Sequence, residues 1–321
     1  MFPGYRNLHH QGLLAQRAAK ALTRLGSCRL CPQSCGVNRK ASETGVCSTG
    51  RHAMVANAML HFGEEIPLVG EKGSGTIFFC GCNIGCVFCQ NSSISRTTQG
   101  CQETPAEDLA SIMLDLAAQG AHNINLVTPS HVVPQILEAV NIAASQGLNI
   151  PLVYNSGGYD SVETLALLDG VVDIYMPDLK FYDQNVSARL CQAPDYPAVA
   201  RATVKEMQRQ VGDLIITDGI ATKGLLVRHL VLPSGLAGTA EWMRFLVSEV
   251  SPHVYVNLMD QYYPCAEAEY HPDINRPLHP EEFTLAQEHA ERAGISRLHE
   301  ADAAMLARLI RLFSSSRSKE R

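Results

Sequence analysis

The middle of the chain alternates short apolar runs with longer amphipathic segments. The short runs are rich in β-branched and aromatic residues, which is typical of buried strands, and the longer ones repeat apolar residues at the helical period. The predicted strands are 76–80, 123–128, 151–155, 171–176, 225–232 and 253–258. Because a helix-length crossover separates successive strands, the pattern predicts an α/β fold with a parallel sheet and right-handed connections, either an open sheet or a barrel.

Helix signals complete this picture. The predicted helices are 13–25, 104–119, 130–146, 161–168, 198–211, 239–250, Pro280–Ala293 and 301–313. Thr104 is the predicted N-cap of the second, with Glu107 closing a capping box and Pro105 in the first turn. We expect a Cys-rich N-terminal extension over 1–70, a core over 71–260, and a C-terminal helical segment with a polar tail over 261–321.

Composition narrows the class of protein. The 321 residues carry 26 Lys and Arg against 32 Asp and Glu, a formal charge of −6, which argues against non-specific nucleic-acid binding. No run of 18 apolar residues occurs, so we expect no membrane span. The N-terminal segment lacks the continuous apolar stretch of a secretory signal, which favours a cytoplasmic location.

Eleven cysteines are the strongest chemical signal, and seven of them form two tight clusters. In a reducing compartment such clusters indicate metal binding or catalysis rather than disulfides. We expect Cys80 to be a buried strand residue. Cys101, Cys191 and Cys265 stand apart, and we expect them to be packing residues or incidental thiols.

The first cluster is Cys82, Cys86 and Cys89, which directly follow the first predicted strand with the spacing Cys-x3-Cys-x2-Cys. A 4Fe–4S cluster usually takes four cysteines, so three thiolates leave one iron open to a substrate. These three cysteines are therefore the predicted catalytic metal ligands. The alternative is a structural zinc site that lacks its fourth ligand or takes it from Cys80.

This motif, with Phe88 before its last cysteine, resembles that of the radical S-adenosylmethionine (SAM) superfamily. Further segments resemble a subfamily that is similar to the pyruvate formate-lyase activating enzyme: 76–79, 127–131, 154–159, 175–180, 228–233 and 255–259. The resemblance implies a partial parallel (β/α)6 barrel. It also implies that the open iron binds the amino and carboxylate groups of SAM, and that the resulting 5′-deoxyadenosyl radical takes a hydrogen atom from a substrate.

Polar residues gather where the predicted strands end, which is where ligands bind in parallel α/β folds. They are Thr128, Ser130 and His131, then Asn155 and Ser156, then Asp178 and Lys180, joined by Arg228 and His229 within the fifth predicted strand and Asn257 within the sixth. Lys180 and Arg228 are cations suited to the SAM carboxylate. The ordinary alternatives are that Ser130 caps a helix, that Asp178 and Lys180 form an ion pair, and that His229 is a core histidine.

The resemblance assigns further roles to this set. It places Phe88 near the adenine. It also implies that Thr128 or Ser130 binds the SAM amino group, because the Gly-Gly-Glu motif that usually does so in the superfamily is absent. It also implies a monovalent cation held near Asn155, Ser156 and Asp178, although Asn155 stands where the activase has an aspartate.

The second cluster is Cys28, Cys31, Cys35 and Cys47, with the spacing Cys-x2-Cys-x3-Cys-x11-Cys. Four thiolates form a complete ligand set, which suits either a second 4Fe–4S cluster or a structural zinc ion. The sequence leaves both open, and we favour iron–sulfur because the protein must already be loaded with one cluster.

Three functions fit these signals. The leading one is an activase that takes a hydrogen atom from a glycine of a glycyl-radical enzyme, with a carrier such as flavodoxin or ferredoxin as electron donor. In the second, the radical takes its hydrogen atom from a small molecule or another peptide, in a closed pocket lined by Tyr159, Tyr182, Tyr262 and Tyr263. The third is a non-catalytic iron–sulfur or zinc protein.

Overall fold

The computed structural model describes residues 3–299 of the chain. Its strands are β1 (Ala53–His61), β2 (Ser74–Phe79), β3 (Gln102–Thr104), β4 (Ile124–Val127), β5 (Leu152–Ser156), β6 (Ile174–Pro177), β7 (Ile215–Thr217), β8 (Ile220–Leu230), β9 (Tyr255–Met259) and β10 (Arg297–Leu298). Its helices are α1 (Gly4–His10), α2 (Leu13–Thr23), α3 (Ile66–Val69), α4 (Ser92–Ser95), α5 (Ala106–Ala118), α6 (Val133–Ser145), α7 (Val162–Leu165), α8 (Gln184–Leu190), α9 (Tyr196–Val211), α10 (Thr239–Phe245) and α11 (Pro280–Ala293).

The strands form an open, largely parallel sheet in the order β10-β9-β8-β6-β5-β4-β2-β1-β3, with β7 paired to β8. From β2 to β10 along this order the neighbours are parallel, whereas β1 runs antiparallel to both β2 and β3. All six predicted strands are present in this parallel series. The predicted partial (β/α) barrel architecture is therefore confirmed.

The helices predicted within residues 3–299 are present, but several begin or end at other residues than predicted. The predicted capping box at Thr104 is wrong, because β3 pairs Thr104 with Ala53 and the residue before α5 is Pro105. Pro134 does lie in the first turn of α6, but that helix begins at Val133 rather than at residue 130. The second predicted C-terminal helix and the polar tail lie outside the described residues.

The N-terminal extension contributes to the same sheet and core. Its strand β1 was not predicted, because its Ala, Met and Asn residues lack strand propensity and its pairing with β2 and β3 stabilises it. The helices α1 and α2 pack against α6. Leu14 is fully buried in this contact, and the Tyr5 hydroxyl donates to the Ile150 carbonyl at 2.9 Å.

One cysteine prediction is corrected by the structure. Cys80 and Cys101 form a disulfide, with an S–S distance of 2.01 Å. The sheet brings them together, because β1 lies between β2 and β3 and its Val55 pairs with Phe79 on one side and Gln102 on the other. Cys101 is therefore not an incidental thiol, and the sulfur of Cys80 is not free to bind a metal.

No helix within residues 3–299 combines the length and the hydropathy that a membrane crossing requires.

Candidate active site

The loop after β2 folds the three motif cysteines together at the carboxyl end of that strand. The amide of Val87 donates to the Leu190 carbonyl at 3.0 Å, which anchors the loop to the end of α8. Cys86 is 8% exposed, and Cys82 and Cys89 are half-buried. The thiols are close enough to influence one another's ionisation. The three sulfur donors thus lie in one loop, although within residues 3–299 no three ligand side chains are gathered closely enough to hold a metal ion.

Lys180 places a positive charge beside this trio. Burial raises the pKa of the Cys82 and Cys86 thiols, and the Lys180 ammonium opposes that rise in both. Neutral thiols do not bind iron, so thiolate formation needs either this cation or the metal itself. The donor set and its electrostatics therefore fit an iron–sulfur cluster with three protein ligands.

Asp178 holds the two candidate SAM-binding cations. Its carboxylate accepts from Lys180 Nζ at 2.9 Å and from Arg228 Nε at 2.8 Å. Burial by itself would raise the pKa of Asp178, but the charges of Arg228 and Lys180 outweigh burial and lower it to about 2. Arg228 also donates to Asn155 Oδ1 at 2.8 Å. The structure thus brings together four of the residues that the strand ends predicted.

Glu64 is a further member of this group that the sequence did not reveal. Its carboxylate lies 3.4 Å from Arg228 Nη1. Burial raises the pKa of Glu64 to about 7, against the opposing charge of Arg228. Its neighbour Glu65 accepts from Asn257 Nδ2 at 2.8 Å. The sequence did carry a signal for Glu64 and Glu65, because they stand out in a segment where the only earlier acidic residue is Glu43.

A cavity of about 590 Å³ opens on the outer side of Arg228. Glu64, Glu65, Asp260 and Glu291 line it, so its wall is strongly acidic apart from Arg228 itself. Asp260 is exposed, which shows that the cavity reaches the protein surface.

Ser130 and Ser156 lie in a separate polar network centred on Asp160. The Asp160 carboxylate accepts from Ser156 Oγ and from the Tyr154 hydroxyl, each at 2.8 Å, and is also hydrogen-bonded by Ser130. Both serines are 2% exposed. Ser130 therefore binds an internal carboxylate rather than capping α6. SAM contacts by either serine stay predictions.

Thr128 is half-buried at the end of β4 and has a left-handed backbone, with φ of 61°. A β-branched residue in this region is unusual, and such strain is commonest at functional sites. Its amide donates to the Asn155 carbonyl at 2.9 Å, so Thr128 lies beside the Arg228 group.

The aromatic candidates Phe88, Tyr159 and Tyr262 are packed in the core, and the predicted contact of Phe88 with the adenine stays a prediction. Phe88 is buried edge-to-face against Phe181 and Tyr262, with ring centroids 5.8 Å apart in each pair. Tyr159 and Tyr262 are buried, and their hydroxyls donate to Asp195 and to the Ile274 carbonyl. His229 is a satisfied core histidine, as the ordinary alternative predicted, because its ring nitrogens contact the Leu179 carbonyl and the Thr239 hydroxyl.

The four N-terminal cysteines line one cavity. Cys28, Cys31 and Cys47 are each 8% exposed, and Cys35 is half-buried. Burial raises the pKa of Cys31 to about 12, and the nearby Cys47 and Cys28 thiols add to that rise. A metal would supply the positive charge that converts such thiols to thiolates. The donor types therefore suit a second metal centre, either iron–sulfur or zinc, although the described part of the chain holds no three ligand side chains already gathered around a metal position.

Arg39 and His131 line the same cavity. The Arg39 guanidinium is fully buried, donates to the His131 carbonyl at 2.7 Å and lies 4.0 Å from Cys28 Sγ. His131 is buried, with Nε2 2.9 Å from the Cys80 carbonyl. Among the described residues, Arg39 Nη2 and His131 Nδ1 have no hydrogen-bond partner. His131 therefore lies at the N-terminal cysteines, and its predicted contact with SAM stays a prediction.

The two cysteine sites touch each other. Gly81 has a left-handed φ of 81° and packs against the Cys47 carbonyl, which a Cβ at this position would approach to 2.2 Å. Gln33 Nε2 donates to the Asn83 carbonyl at 2.9 Å, and the Asn83 side chain hydrogen-bonds the Cys31 thiol. The backbone before and after Cys82 thus forms one wall of the N-terminal site.

We expect Gly81→Ala to lower the iron content of the reconstituted protein by roughly half or more. The left-handed backbone costs a non-glycine residue about 1–2 kcal/mol, and the added Cβ collides with Cys47. Gly100→Ala is the matched control, because Gly100 has the same φ of 81° and nothing within 4 Å of an added Cβ. Equal iron contents in the two variants would contradict the contact between the loops.

The three motif thiols follow β2, and the Lys180 and Arg228 cations lie towards the carboxyl ends of β6 and β8. This arrangement in a parallel sheet is typical of an enzyme class that binds a ligand at an open iron. Residues 76–222 match the family model of the radical SAM superfamily. The chain is also 33% identical over 280 residues to the uncharacterized protein MJ0674 of Methanocaldococcus jannaschii, covering 85% of this chain and 77% of that protein. The chain belongs to the radical SAM superfamily and is an enzyme that uses a 4Fe–4S cluster and SAM.

Proposed function

We propose that this radical SAM enzyme takes a hydrogen atom from a glycine within a protein partner, as an activase of a glycyl-radical enzyme. When bound, the cluster supplies the electron that cleaves SAM to methionine and the 5′-deoxyadenosyl radical. Cys82, Cys86 and Cys89 would hold the cluster. Lys180 and Arg228 would bind the SAM carboxylate, with Asp178 orienting both cations. A monovalent cation at Asn155 is disfavoured, because Arg228 already occupies its side-chain oxygen.

Open access to the site carries this proposal. The segment after β9 borders the cluster loop, since the amide of Glu267 donates to the Val87 carbonyl at 2.8 Å and Gln90 Nε2 donates to the Gln261 carbonyl at 3.0 Å. The same segment exposes Tyr263 by 52% and Tyr270 by 73%. Exposed aromatic residues are enriched in protein-docking surfaces, and Gln261, two residues before Tyr263, lines the open cavity beside Arg228. This arrangement supports a substrate that is itself a protein.

A second candidate is radical chemistry on a small cationic molecule. The acidic wall of the cavity beside Arg228 favours it, because Glu64, Glu65, Asp260 and Glu291 would attract an amine.

An isotope experiment separates these candidates. Cells that encode the enzyme are grown on α-deuterated glycine, and their extract is divided into protein and small-molecule fractions. Each fraction is added anaerobically to reconstituted, reduced enzyme with SAM. We expect deuterium in 5′-deoxyadenosine only with the protein fraction. Transfer from the small-molecule fraction alone would favour the second candidate. Absence of 5′-deoxyadenosine from fully loaded enzyme in every sample would contradict both.

A further inference from the structure

The N-terminal segment has the opposite charge to the rest of the protein. Residues 1–51 contain eight cationic side chains and one carboxylate, that of Glu43, which is a net charge of +7. The whole chain carries −6, so the remaining residues carry −13. This asymmetry surrounds the four N-terminal cysteines.

Half of these cations are committed to the structure of the lobe. Arg39 is buried at the cysteines, and Arg51 pairs with Glu138. Arg6 and Arg17 donate to backbone carbonyls. The other four are Lys20, Arg24, Arg29 and Lys40. Arg24 Nη1 donates to Thr164 Oγ1 at 3.2 Å, and none of the four has an ion pair within residues 3–299.

These four cations form what we call the basic N-terminal face. Lys20 lies one helical turn before Arg24, and the turn Arg24–Gly26 packs against the turn Arg39–Ala41, which carries Lys40. Lys20, Arg29 and Lys40 are exposed.

The basic N-terminal face surrounds the place where the cysteine site reaches the surface. Arg24 and Arg29 line a cleft of about 600 Å³ whose wall includes Cys31. An exposed carboxylate on its far wall, Glu163, is engaged by Ser161 at 2.7 Å. On the other side of the site, Val46 is 47% exposed next to Cys47. A ring of cations around a shallow metal site suits a protein partner with an acidic surface.

We propose that the basic N-terminal face docks a small acidic one-electron carrier protein, and that the Cys28/Cys31/Cys35/Cys47 site is the iron–sulfur centre that receives its electron. This inference rests on the proposed radical SAM chemistry, which consumes one electron per SAM cleaved. The carrier is oxidised by one electron and the N-terminal centre is reduced by one. Transfer of that electron to the cluster at Cys82, Cys86 and Cys89 reoxidises the N-terminal centre.

Few covalent bonds and contacts separate the two cysteine sites. Asn83 is bonded to Cys82 and contacts the Cys31 thiol, and Gly81 packs on the Cys47 carbonyl. A nucleic acid fits this face less well than a small acidic protein. A long polyanion would extend beyond the lobe towards the rest of the chain, whose residues 52–321 carry a formal net charge of −13.

The test uses the Cys82→Ala/Cys86→Ala/Cys89→Ala protein, reconstituted anaerobically, so that only the N-terminal centre is loaded. Reduction by an acidic flavodoxin in its hydroquinone form is followed by stopped-flow absorbance and by electron paramagnetic resonance. In this background we expect Arg29→Glu/Lys40→Glu to slow reduction at low salt by about tenfold or more, because the face would then repel the carrier. Added salt should reduce the difference.

The matched control is Lys72→Glu/Lys223→Glu, which makes the same charge change at two exposed lysines near the amino ends of β2 and β8. We expect its rate to stay within about twofold of the parent, and we expect reduced methyl viologen, a cation, to reduce all three proteins at least equally well. Equal rates for both double variants, a centre that gives no reduced iron–sulfur signal, or competition by RNA but not by oxidised flavodoxin would overturn the proposal. Formation of 5′-deoxyadenosine by wild-type enzyme with dithionite tests the proposed function separately.

Discussion

Replacing Cys82, Cys86 or Cys89 by alanine is expected to lower 5′-deoxyadenosine formation by at least about three orders of magnitude, because SAM is expected to receive its electron at the open iron of the cluster that these three thiolates hold. The loss follows from the ligand set, since two thiolates cannot hold a cluster that needs the three thiols of this loop. The measurement is product formation by anaerobically reconstituted protein with dithionite and SAM, alongside iron and sulfide analysis. The proposed metal centre at the N-terminal cysteines should stay loaded in each variant.

Cys265→Ser is the control for this experiment. Cys265 lies close enough to Cys89 for its thiol pKa to be affected, but its Sγ donates to the Phe88 carbonyl at 3.2 Å, a bond that serine can replace. We expect this variant to keep its cluster and its activity. If Cys265→Ser lost iron as the motif variants do, the cluster would have four protein ligands, and the iron that SAM needs would not be open.

The second large effect is expected from Asp178→Ala. Removing this carboxylate leaves the Lys180 and Arg228 cations without their shared partner in a buried place, where breaking an ion pair costs about 3–5 kcal/mol. We expect a loss of that size in the free energy of unfolding, measured by urea denaturation under anaerobic conditions. SAM affinity should also fall, because the two cations would lose their fixed orientation.

The pH dependence of this loss follows from the lowered pKa of Asp178. The pKa is about 2 in the folded protein against 3.8 for the ordinary group, so the carboxylate stabilises the fold above pH 3.8 and loses that effect as the pH falls towards 2. The Asp178 carboxylate itself should therefore contribute equally at pH 5 and pH 8, whereas Glu64, whose pKa of about 7 is raised in part by the Asp178 charge, should make the advantage of wild type over Asp178→Ala smaller at pH 8. The control is Lys205→Ala, which breaks the exposed pair with Glu249 and should cost about 1 kcal/mol or less. Similar losses in the two variants would show that the Asp178 group is not a buried network.

Local patterns in the sequence were sufficient to predict the parallel strands, most of the crossover helices and the cysteine motif. Each depends on residues close together in the chain: β-branched apolar runs predict buried strands, and the spacing of Cys82, Cys86 and Cys89 is set within one loop. The rule that parallel strands end at one edge also brought Asp178, Lys180 and Arg228 together correctly, because that rule depends on topology alone.

Contacts between distant segments were decided only by the tertiary structure. The strand β1, which lies between β2 and β3, is stabilised by these neighbours rather than by its own composition. Its placement brings Glu64 beside Arg228 and Cys80 beside Cys101. Ser130 and Ser156 hydrogen-bond Asp160 instead of joining the cation group, because a buried carboxylate must be hydrogen-bonded. The charge of the N-terminal segment is visible in the sequence, but its place around a second cysteine site depends on how two turns of the chain pack together.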